Sequence, residues 1–464
     1  MFFYLAIDIG ASSGRHIIGY MESGEIKTVE VYRFKNGAFE NNGHLFWNLE
    51  SLLNEVKTGI KIALEKYPKI ESLAIDTWGV DYILMKNDTI IGKPYAYRDS
   101  RTENTIPKVH NIIPFEELYK RTGIAFNTFN TIYQLYDDKE KGLLDEATDF
   151  LHIPEYLNYC LTGVKMKEYT MASTTGLINV NTKDYDSEII EKLGFNKEIF
   201  KELHEGGDFV GNFKEEIVKE LGGNIPVKLC LSHDTASAVY AIDYDCPYIS
   251  SGTWSLLGVK EKYAHTDLNS MKCNFTNEGG INRTFRYLKN IMGMWVVNNI
   301  SKENGITPVE FRANVASSTY KYTFDINSKE LLAPKNMTEA VKAELKKVNA
   351  PEPQDLNDLA NSVLLSLAKS YAESINEIET NIQRVSESIV IVGGGAHNTI
   401  LNKYTEELSG KKVISLPIEA TAIGNLKIQM RWYGERKIFT SKRNLQKDWH
   451  WYRQSNRNFK DNPN

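Results

Sequence analysis

The stretch Leu5-Ala-Ile-Asp-Ile-Gly-Ala-Ser-Ser-Gly-Arg-His-Ile-Ile-Gly-Tyr-Met21 contains two short apolar runs separated by small and polar residues. The first run ends at Asp8, and His16–Met21 forms the second. Short apolar runs bounded by Gly and Ser predict two strands joined by a turn. We therefore predict a β-hairpin whose turn is made by Gly10–Gly14.

The same pattern returns in the second half of the chain. The apolar pair Tyr248-Ile249 is followed by the small polar residues Ser250–Thr253, and Ser255–Val259 resumes the strand. Repetition of one supersecondary unit indicates an internal duplication. We therefore expect two related domains, over residues 1–245 and 246–464.

Helical and strand patterns alternate between and after these hairpins. Leu49–Tyr67 has apolar residues at helical spacing, and Leu73-Ala-Ile75 is a buried strand that Tyr82–Met85 is expected to resume. A long helical pattern over residues 356–378 precedes the apolar run Ile389–Val392, which three glycines follow. Such alternation predicts an α/β fold.

The composition describes a folded protein without a global affinity for polyanions. The chain has 464 residues, of which 42% are hydrophobic and 25% charged, and its net charge is −5. These values argue against disorder and against general attraction to nucleic acid or an anionic membrane. We expect the basic tail from about residue 431 to be a solvated terminal helix rather than a nucleic-acid site.

The cellular location of the protein is predicted from the absence of membrane, disulfide and secretion signals. No apolar run reaches 18 residues, the four cysteines form no C-x-x-C pair, and the first residues have no basic segment. We therefore expect a cytoplasmic protein with no membrane association and reduced cysteines.

The pentapeptide Gly10-Ala-Ser-Ser-Gly14 matches the G-x-S-x-G motif of serine hydrolases. In those enzymes a helix follows the serine directly, whereas the residues after Gly14 predict a strand. A turn of small residues can instead direct backbone N–H groups and hydroxyls at phosphate oxygens. Phosphate binding is the better interpretation, and a helix after Gly14 would restore the hydrolase alternative.

Three small-residue turns could form a nucleotide site, at Gly10–Gly14, Ser251–Thr253 and Gly393–Gly395. The chain has neither the G-x-x-x-x-G-K-[ST] nor the G-x-G-x-x-G motif, so another type of site is required. Facing hairpins in two related domains could hold a triphosphate between them. Asp8, at a strand end, could then position hydrated Mg²⁺.

The segment Ser232-His-Asp-Thr-Ala-Ser-Ala-Val239 begins at a predicted loop-to-helix junction. Asp234 could simply cap the helix there. It could also act as a general base that takes the proton of a hydroxyl during phosphoryl transfer.

Several motifs together resemble the FGGY carbohydrate kinases, and they occur in the same order from residue 5 to about residue 430. The most specific are the strings around Asp234 and around Thr253. The motifs are Asp8–Arg15, Ile75–Asp81, Tyr97–Thr102, Ser232–Val239, Ser250–Ser255, Lys289–Gly293 and Gly393–Gly395.

This resemblance implies two ribonuclease-H-like domains, of the actin, sugar kinase and Hsp70 type, around a nucleotide cleft. It implies transfer of the γ-phosphate of ATP to the 1-hydroxyl of L-rhamnulose, in L-rhamnose catabolism, with ATP and Mg²⁺ required. It also implies small-molecule partners only, in a monomer or small homo-oligomer.

The resemblance assigns roles residue by residue. Asp234 matches the catalytic base, and Asn298 falls at an ATP-proximal position that is Gln in relatives. The matched sugar contacts are Gly79, His233, Asp234, Thr235 and Asn290. The matched nucleotide contacts are Gly10, Ala11, Ser12, Ser13, Gly14, Thr253, Asn298, Gly394 and Gly395.

Two alternatives stay open at this point. Fold and phosphate motifs do not identify the sugar, so the chain could phosphorylate another ketose or polyol, such as L-fuculose or L-xylulose. It could also be a catalytically silent sugar-binding member of the fold, although Asp8 and Asp234 disfavour this.

Overall fold

A computed structural model describes residues 1–439 of the chain, except 68, 314, 316, 317, 333, 417 and 418. The basic tail predicted from about residue 431 therefore falls largely outside the described residues. Among the residues described, no helix is both long and apolar enough to span a membrane.

The described residues of the first half contain thirteen strands and ten α-helices. The strands are β1 (Phe3–Ile9), β2 (Ser13–Glu22), β3 (Glu25–Lys35), β4 (Phe39–Asn41), β5 (His44–Phe46), β6 (Ile70–Thr77), β7 (Tyr82–Lys86), β8 (Thr89–Ile91), β9 (Asp149–His152), β10 (Lys167–Glu168), β11 (Leu203–His204), β12 (Phe209–Gly211) and β13 (Val227–Lys228). The helices are α1 (Leu49–Lys66), α2 (Ile106–Ile112), α3 (Phe115–Thr122), α4 (Thr131–Glu140), α5 (Leu143–Glu146), α6 (Ile153–Thr162), α7 (Tyr169–Ala172), α8 (Ser187–Lys192), α9 (Glu215–Leu221) and α10 (Asp234–Tyr240).

The second half, as far as it is described, contains six strands and seven helices. The strands are β14 (Tyr248–Ser251), β15 (Trp254–Glu261), β16 (Thr276–Gly279), β17 (Phe285–Met292), β18 (Ser388–Val392) and β19 (Lys412–Leu416). The helices are α11 (Leu268–Lys272), α12 (Trp295–Glu303), α13 (Pro308–Ala313), α14 (Met337–Lys347), α15 (Leu356–Ile382), α16 (Thr399–Ser409) and α17 (Ala420–Phe439).

Each half is built on a six-stranded sheet, and the two sheets share one pattern of five strands. The first sheet has the order β12-β13-β6-β1-β2-β3, and the second has β16-β17-β15-β14-β18-β19. In each sheet, three neighbouring strands are antiparallel: β1, β2 and β3 in the first, and β14, β15 and β17 in the second. The first strand of each set also pairs in parallel, β1 with β6 and β14 with β18. The predicted α/β class and duplicated hairpins are confirmed.

The equivalent helices α10 and α17 pack against each other between the two sheets. A Cβ on Gly424 of α17 would lie 1.8 Å from the backbone oxygen of Ser237 in α10, so only glycine permits this crossing. Ala422 and Leu426 of α17 pack on the first sheet, while Val239 and neighbouring residues of α10 pack on β14 and β18. The last helix of the described chain therefore reaches back across the sequence division expected near residue 245, and that division stays a prediction.

Other local predictions can be compared directly with the structure. β1 and β2 form the predicted hairpin, with Asp8 opposite Arg15. Helix α1 begins after Asn48, whose side chain accepts a hydrogen bond from the Ser51 backbone N–H at 2.9 Å. The expectation that Tyr82–Met85 resumes the strand of Leu73–Ile75 is wrong. Val80 has a φ of +67°, which turns the chain so that β7 joins a separate sheet with β8 and β9.

Candidate active site

Three neighbouring parallel strands of the first sheet deliver the acidic residues of the candidate site. Asp8 near the end of β1 is the register partner of Asp76 near the end of β6. The segment that follows β13 lies parallel to β6, with a bridge between Thr77 and His233. Asp234 comes directly after this bridge and begins α10. Ligands of open α/β sheets bind beyond the carboxyl ends of such strands.

The carboxylates of Asp8 and Asp76 are buried and influence each other. Burial and the nearby charge of Asp234 raise the pKa of Asp8 to about 6, although Arg15 lowers it through an ion pair at 2.5 Å. Burial and the charge of Asp8 hold the pKa of Asp76 well above its ordinary range. Asn425 of α17 donates a hydrogen bond to Asp76 Oδ2 at 2.5 Å, while Oδ1 is buried without a partner in the described structure.

Asp234 lies in the first turn of α10 rather than at its cap. His233 occupies the N-cap position and makes no side-chain capping bond. The Asp234 Oδ1 atom accepts hydrogen bonds from the Thr235 backbone N–H at 2.5 Å and the Thr235 hydroxyl at 3.0 Å. The Asp234 side chain is 28% exposed, so the carboxylate can still contact a ligand.

His233 connects Asp234 with residues from both halves of the chain. Its Nε2 lies 3.5 Å from Asp234 Oδ1, and a Cβ added to Gly79 would lie 3.3 Å from the same nitrogen. Its Nδ1 lies 3.0 Å from the NH2 nitrogen of Arg286, which belongs to the second sheet. The absence of a side chain at Gly79 leaves space on the Nε2 side of the ring.

The buried Asp81 carboxylate accepts hydrogen bonds from other residues of the protein. Its Oδ2 accepts hydrogen bonds from Trp47 Nε1 at 2.6 Å, Trp78 Nε1 at 2.9 Å and the Tyr97 backbone N–H at 3.1 Å. Burial raises its pKa to about 6 despite these bonds. Asp81 and the two tryptophans therefore form a packed support beneath the Gly79 loop.

The second half brings its three candidate nucleotide elements together. Gly395 packs so closely on the β14–β15 hairpin that an added Cβ would lie 1.9 Å from Ser251 Oγ. The backbone N–H of Trp295 donates to the Thr253 oxygen at 3.1 Å, so α12 begins beside the hairpin turn. Asn298 lies in the first turns of α12, and Thr253 is exposed. Thr253, Asn298 and Gly393–Gly395 thus share one edge of the second sheet.

An ion pair joins the edges of the two sheets. Arg15, at the start of β2, contacts both Asp8 and Glu419, which immediately precedes α17. The turn before this arginine is shorter than predicted, because β2 already begins at Ser13 and Gly14 pairs with Ile9. It spans Gly10–Ser12, and Ser12 is exposed. A strand instead of a helix follows the turn, which removes the serine-hydrolase interpretation.

The acidic residues would suit a magnesium ion whose other ligands were water and oxygens of a bound molecule. Asp8 and Asp234 are hard oxygen donors close enough to raise the pKa of Asp8, so a cation between them would relieve their repulsion. Within the described part of the chain, no three ligating side chains converge to hold a metal by themselves.

The predicted sugar contacts Gly79, His233, Asp234 and Thr235 lie together. Asn290 lies on the same face of β17 as Arg286, but four residues further along the strand. This spacing separates the two residues by about 13 Å. The predictions missed residues whose roles depend on contacts between distant parts of the chain. These are Arg15, Asp76, Glu278, Arg286, Glu419 and Asn425. The one available signal was a charged residue inside an apolar strand, as at Arg286 in Phe285-Arg-Tyr-Leu288.

Comparison with family models identifies both halves. The N-terminal domain model of the FGGY family of carbohydrate kinases matches residues 3–240, and the C-terminal domain model matches residues 247–433.

Similar curated proteins match over nearly the whole chain. The rhamnulokinase of Oceanobacillus iheyensis is 41% identical over 433 residues, covering 92% of this chain and 92% of that protein. The rhamnulokinase of Bacillus subtilis is 39% identical over 440 residues, covering 92% and 90%.

Solved structures of low sequence identity share the fold. A ligand-bound xylulose kinase from Lactobacillus acidophilus has a TM-score of 0.77 at 16% identity, covering 94% of this chain and 90% of that one. Plasmodium falciparum glycerol kinase with ADP has a TM-score of 0.74 at 18% identity, covering 92% and 89%.

Proposed function

The chain belongs to the FGGY family of carbohydrate kinases, and we propose that it transfers the γ-phosphate of ATP to the 1-hydroxyl of L-rhamnulose. The products would be L-rhamnulose 1-phosphate and ADP, and the reaction would serve L-rhamnose catabolism in the cytoplasm. The observation that carries this substrate choice is about 40% identity, over nine-tenths of the chain, to proteins named rhamnulokinase.

Asp234 is the proposed general base. Its carboxylate is partly exposed beside the space that Gly79 leaves open, which supports contact with a sugar hydroxyl. The two hydrogen bonds from Thr235 fix the orientation of Oδ1. The carboxylate would take the proton of the 1-hydroxyl as the oxygen bonds to phosphorus and the bond to the ADP oxygen breaks.

Sugar recognition is proposed for Gly79, His233, Thr235 and Asn290. Of these, His233 and Thr235 have buried polar side chains, which discriminate by hydrogen bonding because a sugar that lacks the matching hydroxyl leaves them unpaired. A ketose with a different hydroxyl configuration, such as L-fuculose, the C4 epimer of L-rhamnulose, would then be disfavoured.

Nucleotide binding is proposed for the Gly10–Gly14 turn in one half and for Thr253, Asn298 and Gly394-Gly395 in the other. The ion pair of Arg15 with Glu419 supports an arrangement in which both sheet edges contact one nucleotide. Mg²⁺ would be positioned by Asp8 through water and would neutralise charge on the phosphates.

A ketose panel tests this function. ADP release should be measured with ATP, Mg²⁺ and each of L-rhamnulose, L-fuculose, L-xylulose and glycerol, and the same panel should be run with Asp234→Asn. We expect the highest kcat/KM with L-rhamnulose and loss of that activity in the variant. Preference for another sugar would refute the substrate, while sugar-independent ADP release equal in both proteins would refute the proposed kinase site.

A further inference from the structure

A buried arginine from the second half contacts the candidate sugar site. Arg286 of β17 is only 1% exposed. Its Nε donates to the Gly279 backbone oxygen at 2.8 Å, and its NH2 nitrogen lies 2.9 Å from Glu278 Oε2 and 3.0 Å from His233 Nδ1. The backbone oxygen and the carboxylate fix the guanidinium in one orientation against the imidazole ring.

The contact with Arg286 determines which ring nitrogen of His233 carries the proton. A guanidinium remains charged and can only donate hydrogen bonds. The His233 Nδ1 atom at 3.0 Å must therefore be the acceptor, so the proton of the neutral ring is on Nε2. Glu278 Oε2 lies farther from Nδ1, at 3.4 Å, and is already paired with the arginine.

The protonated nitrogen faces the proposed base. His233 Nε2 lies 3.5 Å from Asp234 Oδ1, on the side of the ring that Gly79 leaves open. An N–H group there can donate to the carboxylate or to a sugar oxygen between the two. The opposite tautomer would direct a lone pair at the carboxylate, which places two acceptors against each other.

We propose that Arg286 is a positioning residue that holds His233 in the Nε2–H form, so that the histidine donates to the sugar site and Asp234 remains its only proton acceptor. This inference rests on the proposed function for its catalytic consequence. Glu278 has a separate task, which is to neutralise the buried guanidinium. The charge of Arg286 in turn opposes the effect of burial and lowers the pKa of Glu278.

Long-range ¹H–¹⁵N spectra of histidine-labelled protein test the proton position. They should be recorded above the ordinary pKa of histidine, with His233→Asn used to assign the signals. We expect a protonated Nε2 on His233 in the unmodified protein and in Glu278→Gln, which keeps the arginine donor. The double variant Arg286→Met/Glu278→Leu removes the ion pair without leaving a lone charge, and we expect a mixture of tautomers there.

Kinetics on the same proteins test the consequence. The double variant should lose about 3- to 10-fold in kcat, the effect of one lost hydrogen bond, with a smaller change in KM for ATP. Arg121→Met/Asp186→Asn is the control, because Arg121 forms an ion pair with Asp186 that involves none of the proposed site residues, and this double change likewise leaves neither member of the pair as a lone charge. It should leave both the His233 signals and kcat unchanged.

A protonated Nδ1 on His233 in the unmodified protein would overturn the proposal, whether or not the variants fold. A double variant that stays folded and keeps the Nε2–H form would overturn the role of Arg286. If Nε2 is protonated but no ketose is phosphorylated, the proton assignment is supported and the proposed function is refuted.

Discussion

Gly395→Ala should lower kcat/KM for ATP, because the added methyl group displaces the glycine turn that follows β18. A Cβ at this position would lie 1.9 Å from Ser251 Oγ and 2.4 Å from Ser251 Cβ. Rotation of the hydroxyl could relieve the first contact, but the Ser251 Cβ belongs to the hairpin strand β14. An ordinary carbon contact then requires the turn and the hairpin to separate by about 1 Å.

A displacement of about 1 Å in a positioning element can reduce turnover about 10²-fold. We therefore expect kcat/KM for ATP to fall by about that factor at saturating sugar. Sugar affinity measured by calorimetry without nucleotide should stay within about threefold, because the proposed sugar residues are outside this turn. ADP release across an ATP titration measures the first quantity, and the thermal midpoint establishes that the variant is folded.

Two comparisons isolate the cause. Ser251→Gly in the Gly395→Ala background removes both close atoms and should restore most of the activity, relative to Ser251→Gly alone. Gly37→Ala has no atom within 4 Å of the added Cβ and should be silent. A folded Gly395→Ala protein with native kcat/KM for ATP would refute the proposed role of this turn.

Three further perturbations have defined outcomes. Asp234→Asn should lower kcat by roughly 10²–10⁴-fold, and the lower end of this range is expected because a loose transition state needs little early deprotonation. The affinities for ATP and sugar should stay within about tenfold. Native turnover in a folded variant would show that Asp234 is not the base. Asp8→Ala should raise the Mg²⁺ concentration needed for half-maximal turnover by about 10–100-fold and leave sugar affinity nearly unchanged. An unchanged Mg²⁺ titration would contradict the proposed role of Asp8. Because the charge of Arg286 lowers the pKa of Glu278 below its ordinary value of 4.5, the ionised carboxylate stabilises the fold above pH 4.5, and this stabilisation is lost as the pH falls below that value. Glu278→Gln should flatten that part of the stability–pH curve measured by denaturant unfolding, and an unchanged slope would contradict the pairing with Arg286.

The features that the sequence predicted well depend on residues close together in the chain. Short apolar runs bounded by Gly and Ser predicted the β1–β2 hairpin, and apolar residues at helical spacing predicted α1. The junction at Asp234 was found because an apolar segment ended just before a helical one. These signals are local, since strand, turn and cap preferences act over a few residues.

The missed features arise when distant segments pack together. Asn425 meets Asp76 only because α17 returns to the first sheet, and Arg286 meets His233 only because β17 lies beside the site. No local preference encodes either pairing. The turn at Val80 was missed because a β-branched residue at positive φ is uncommon, so the apolar run after it resembled a continuing strand.

The position of the phosphate in the product tests the central claim most directly. The purified protein should be incubated with L-rhamnulose, ATP and Mg²⁺, and the product analysed by ¹H–³¹P correlation. We expect one phosphomonoester whose phosphorus couples to the two C1 protons of the ketose, formed in equal amount to ADP, and formed at least about 10²-fold more slowly with Asp234→Asn. Phosphorus on another carbon, or ADP formed together with free phosphate and unmodified sugar, would contradict the account.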